Sequence, residues 1–91
     1  MTPEEQLGER IRIIRVINDL SQRDAGMTNG DRIEKGELEK TGFTKLRSIA
    51  EACGITHIQL LGSDIDFATA CRNLILERIS GLTEMEPKKK S

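Results

Sequence analysis

The sequence predicts an all-α fold, a small bundle of five to six helices. Three observations carry this: apolar residues recur at intervals of three and four, residues able to cap a helix stand before these runs, and glycines stand after them. A chain of 91 residues has material for one core only, because a domain of this size buries about two-thirds of its unfolded surface. With 36% apolar residues, two Phe and no Tyr or Trp, that core must come from Ile, Leu, Val, Ala and Met.

Pro3, Glu4 and Glu5 suit a first helical turn, and Leu7, Ile11 and Ile14 then fall on one face, which predicts a helix to about Asp19. Ser21 fits the cap of a short second helix that Gly26 ends. Thr28 is placed to cap a third, running to Lys35 before Gly36, although Gly30 costs about 1 kcal/mol inside a helix and Asn29-Gly30 is equally a turn signal. Residues 36–42, bracketed by glycine, read as a loop. Phe43, Leu46, Ile49, Ala50 and Cys53 then predict a helix that Gly54 stops, and Thr56 caps a short "HIQLL" segment closed by Gly62. Ser63 and Asp66 approximate a capping box for a last helix to about Ser80, with Ile65, Ala68, Cys71 or Arg72, Ile75 and Ile79 as its main stripe. Residues 83–91 have almost nothing to bury and read as a disordered tail.

Composition narrows the function. A net charge of -1 with 32% charged residues confines any basic footprint to one local patch. There is no stretch of about 18 apolar residues and the N-terminus lacks an apolar signal region, so the expectation is a cytoplasmic protein without a membrane span. Cys53 and Cys71 lack CxxC spacing and read as reduced core thiols, and Cys53 with His57 has no further ligand to make a metal site. Asp64 and Asp66 read as capping residues rather than as an acid–base pair, so no catalytic residue and no cofactor is assigned.

The motifs "LGERIRIIR", "LSQ", "RIEKG" and "LRSIAEACGIT" follow one another in an order that resembles the lambda-repressor (Xre/Cro-type) helix-turn-helix family across residues 7–62. The resemblance implies a DNA-binding domain over residues 1–62, with residues 63–82 as an added C-terminal helix. It further implies that Gln22, at the start of the second helix, meets the phosphate backbone, where unpaired N–H groups and the helix dipole favour anions. Arg15 and Glu34 match a structural ion pair that ties the first helix to the third in the family.

One departure is plain. Only ten residues, 23–32, separate Gln22 from Ile33, about six fewer than the family spends on its helix-turn-helix, or about one turn of the second helix and two residues of the recognition helix. The apolar pair that anchors the second helix is reduced to Ala25. The shortened reader still offers Thr28, Asn29 and Arg32 to base edges, since Asn pairs with adenine and Arg with guanine, while Asp31 opposes phosphate. Arg23, Lys35, Lys40 and Lys45 surround this face and could neutralise phosphates. Arg10 and Arg12 read as the solvated face of the first helix, and Lys88–Lys90 as a solvated tail.

Ile13, Val16 and Ile17 lie off the main stripe of the first helix, and Phe67, Leu74, Leu76 and Leu82 lie beside the stripe of the last. Some of this surface must be covered by the last helix, and the remainder suits a symmetric dimer, which half-site recognition also needs. The expected function is therefore a sequence-specific, phage-repressor-like transcriptional regulator that occupies its operator on double-stranded DNA as a homodimer. The competing expectation is a degenerate helix-turn-helix protein that has lost DNA reading and acts on a protein partner.

Overall fold

In a computed structural model the backbone is described for residues 1–90 and the side chains for residues 1–81. The first helix, α1 (Pro3–Ile17), opens on a reciprocal cap. The Glu5 N–H donates to Thr2 Oγ1 (3.1 Å) and the Thr2 N–H donates to Glu5 Oε1 (2.9 Å), so two helix-end donors are satisfied at once. Ile11 and Ile14 bury completely. Asn18 ends the helix and stitches it inward, its side-chain amide donating to the carbonyls of Ile14 and Cys53, both at 2.7 Å.

The second expected helix is a single turn. Ser21 does cap it, its Oγ accepting from the Asp24 N–H at 3.0 Å, and the Ala25 N–H reaches the Ser21 carbonyl at 3.1 Å. Gly26 then turns the chain with a φ of +85°, before a second helical hydrogen bond pattern can repeat. One turn fixes several dihedrals for one bond, so with Gly26 so close there is nothing to propagate. The turn is held by burial instead: Ala25 and Met27 are both core residues.

The next helix, α2 (Gly30–Glu34), begins later than expected, with Asn29 rather than Thr28 at its cap and no side-chain cap bond. It is followed by the loop to α3 (Phe43–Ala52), a second reciprocal cap between Thr56 and Gln59 (3.1 and 2.9 Å), and α4 (His57–Leu61). Phe43, expected in the core stripe of α3, is 55% exposed at the helix's first residue and makes a T-shaped ring pair with His57, centroids 5.1 Å apart. Ser63 Oγ accepts from the Asp66 N–H (3.1 Å) and opens α5 (Asp64–Lys90). The helical backbone runs past Ser80, where the sequence places its end, to Lys90, while the side chains of the expected tail, residues 83–91, lie outside those described. Among the described residues there is no strand, and no helix is long and apolar enough to cross a membrane.

α5 packs on α1 and α4 with the opposite face from the one expected. Phe67, Ala70 and Leu74 enter the core, whereas Ile65 is 77% exposed and Ile75 and Ile79 are also exposed. The reason is Arg10. Its guanidinium donates to the carbonyls of Leu60 (2.9 Å) and Gly62 (2.8 Å) and to Asp64 (2.6 Å), and it lies 4.9 Å above the Phe67 ring. A cation over an aromatic face is attractive, and these bonds fix the start of α5 so that Phe67 turns inward. Arg10 is thus a clamp between helices rather than part of a solvated face, while Arg12, exposed and paired with Glu9, is on that face.

α1 and α2 meet at Gly8. A Cβ at this position would lie 2.6 Å from the Ile33 carbonyl oxygen and 2.7 Å from that of Glu34, both main-chain atoms that cannot swing aside. Gly8→Ala is expected to lower stability by about 3 kcal/mol through overpacking, read as a lower urea midpoint with an unchanged slope. An unchanged midpoint would mean that the two helices are not in this close contact.

Candidate nucleic-acid interface

The scaffold of the interface is the junction of α1 with α2. Arg15 Nε donates to Glu34 Oε2 at 2.6 Å and Arg15 Nη2 to Glu34 Oε1 at 3.1 Å, a two-pronged pair, and Arg15 Nη1 donates to the Leu20 carbonyl at 3.0 Å. The side chains are 19% and 8% exposed. The Glu34 hydrogen bond raises the Arg15 pKa above its ordinary value. Burial pushes the thiols of buried Cys53 and half-buried Cys71 up.

Gln22 sits on this junction in an unexpected orientation. Its amide nitrogen donates inward to Asp31 Oδ1 (2.9 Å) and Glu34 Oε1 (3.3 Å) instead of standing toward solvent for a phosphate. Two features cause this. The single turn at 21–26 leaves Gln22 directly over the start of α2, and Gly30 leaves room for it: a Cβ at residue 30 would fall 2.5 Å from the Gln22 side chain.

Thr28, Asn29, Arg32, Lys40 and Lys45 line one cleft of about 580 Å³ between α2, the 37–41 loop and the start of α3. Glu37 and Glu39, absent from the sequence-based assignment, line it too. Arg32 Nε donates to Glu37 Oε1 at 3.3 Å, and the Lys45 ammonium is held on the Gly26 carbonyl. Arg23 and Lys35 are exposed but stand outside the cleft lining. The face thus gathers the residue types that bind a nucleic-acid backbone and read bases, with Glu37 and Glu39 among them and Glu37 paired to Arg32.

The expected partner surface divides. Phe67 and Leu74 are core residues and unavailable to a partner, Ile13 and Ile17 pack half-buried against the same core, and Leu82 falls outside the described side chains. Val16 (55% exposed) and Leu76 remain on the surface, joined on α5 by Ile65 and Ile75. Comparison of the chain with protein-family models, with curated proteins and with solved structures finds no match.

Gly8 and Asn18 escaped assignment from the sequence, and Arg10 was assigned to a solvated face. For Gly8 a signal exists, since a glycine within a helical pattern marks close backbone approach; for the ties of Asn18 to Cys53, 35 residues away, and of Arg10 to Asp64, 54 residues away, none does. In a double-mutant cycle, Arg15→Ala and Glu34→Ala are each expected to cost about 2 kcal/mol, with a coupling of about 1 kcal/mol or more, because each single change strands a largely desolvated charge. Additive losses would deny that the two groups interact.

Proposed function

We propose that the protein is a non-enzymatic DNA-docking regulator of the helix-turn-helix kind, acting as a dimer on an operator. The observation that carries this reading is the convergence of Thr28, Asn29, Arg32, Lys40 and Lys45 on one cleft at the exposed end of α2. Cations there neutralise phosphates and position the domain, while Asn29 and Arg32 are of the types that pair with adenine and guanine edges. Three cations imply a modest footprint. Association with a short duplex is expected to weaken with salt at a log–log slope of about -2.7, that is, about -0.9 for each of three neutralised phosphates. Lys40→Ala should lower the slope by about one such step across all sequences, whereas Arg32→Ala should also relax sequence preference. Fluorescence anisotropy that detects no complex at low salt would reject the reading.

A second reading is favoured by specific observations: a protein-interaction module derived from such a domain. Gln22 is engaged by Asp31 and Glu34, Glu37 and Glu39 interrupt the basic face, and Ile65, Ile75 and Leu76 leave α5 with an exposed apolar side at helical spacing. An exposed apolar face on a helix that already buries its other side is the kind of surface that pairs with another chain. The first reading places self-association on residues 64–82. Sedimentation is expected to give a dimer at micromolar concentration, and Ile75→Glu with Leu76→Glu to give a folded monomer, since both positions are exposed. A monomeric parent protein would remove α5 as the dimer element. If DNA binding is also absent, a heterologous protein partner is what remains.

A further inference from the structure

Asn29 lines the cleft, and the buried Gly30 follows it as the first residue of α2. Asn29 is exposed, lies outside the helix with φ -118° and ψ 50°, and its carboxamide makes no cap bond. The other two asparagines are placed differently. Asn18 donates its amide to two carbonyls and precedes Asp19, and Asn73 lies within α5 and precedes Leu74. Gly30 is the first residue of α2, so its N–H has no acceptor within the helix, and among the described residues it has none elsewhere. Gly30 carries no side chain of its own, and the Gln22 side chain fills the space its Cβ would take.

We infer that Asn29 is a site of spontaneous covalent conversion to aspartate and isoaspartate. The Gly30 main-chain nitrogen, on losing its proton, attacks Asn29 Cγ; the new N–Cγ bond closes a five-membered succinimide, the Cγ–Nδ2 bond breaks, and Nδ2 leaves as ammonia with the proton returned. Water then opens the ring at either carbonyl, giving aspartate or isoaspartate. The net reaction is amide plus water to carboxylate plus ammonium, and it needs no oxidant, metal or second protein.

The product changes the cleft in two ways. A carboxylate at residue 29 turns three cations against two carboxylates in the lining into three against three. The isoaspartyl form also inserts a carbon into the main chain at the residue whose carbonyl accepts from the Arg32 and Ile33 N–H groups (both 3.1 Å), so the first turn of α2 loses its register. The covalent change itself rests on the exposed, uncapped Asn29 side chain and the unpaired Gly30 N–H; its consequence for DNA rests on the function proposed above.

The test is incubation of the intact, native protein at mildly alkaline pH, followed by peptide mapping by mass spectrometry and enzymatic methylation of isoaspartyl groups. The expected result is progressive loss of the Asn29 form, with methylatable isoaspartate at residue 29, while Asn18 and Asn73 stay unchanged and Asn29→Gln abolishes the signal. Conversion of residue 29 in the urea-unfolded chain but not in the native protein would overturn the inference, because it would show that the native backbone holds the amide away from the nitrogen. So would equal loss at all three asparagines. A separate arm measures duplex binding of Asn29→Asp, expected to be weaker than that of the parent. If the mass spectrum shows conversion and neither protein binds DNA, the modification stands and the DNA reading falls.

Discussion

The approach of α1 to α2 is the contact on which the rest of the domain depends. It is possible because residue 8 has no side chain, so the carbonyls of Ile33 and Glu34 can lie against the α1 backbone. Arg15 then reaches Glu34 and the Leu20 carbonyl from the same helix, so one guanidinium ties together α1, the connecting chain and the end of α2. A five-residue helix has no stability of its own and exists here because it is packed and pinned from one side. The cleft beside it inherits its shape from that anchoring.

Arg10 does for the C-terminal half what Arg15 does for the N-terminal half. Two carbonyls at the end of α4 would be left without donors where that short helix closes, and Arg10 supplies both while its plane rests on Phe67. Both clamps start on α1 and reach opposite ends of the fold. This accounts for a core made only of aliphatic residues, Cys53, Met27 and one Phe holding five helices in a defined arrangement. Packing of such side chains is weakly directional, and the two arginines supply direction.

The short interval between Gln22 and Ile33 has a structural consequence. The single turn at residues 21–26 leaves the Gln22 side chain over α2, where Gly30 makes space and two carboxylates make partners. A residue whose type suggests an outward contact becomes an internal tie. The face that remains is lined by Asn29, Arg32 and Lys40 with Glu37 and Glu39 among them, so any contact with a polyanion must be local and selective rather than a broad electrostatic attraction.

Much of the fold was legible in the sequence because helix periodicity, caps and terminal glycines are local properties. Ser21, Thr56 and Ser63 cap where they were expected to, and α1, α3 and α4 fall where their apolar spacing places them. The pairing of Arg15 with Glu34 was legible only through the resemblance, as no local rule joins residues 19 apart. Left undetermined were the length of the 21–26 turn, the inward course of Gln22 and the buried face of α5. Apolar residues lie around most of α5, so periodicity permits more than one inward face, and the choice of Phe67, Ala70 and Leu74 over Ile65 and Ile75 was made by Arg10 and the end of α4. The sequence by itself determined that the chain would be helical and which segments would form helices, since those depend on neighbours along the chain. Tertiary structure decided which faces are hidden and which side chains remain for a partner, since those depend on groups that meet only after the helices pack.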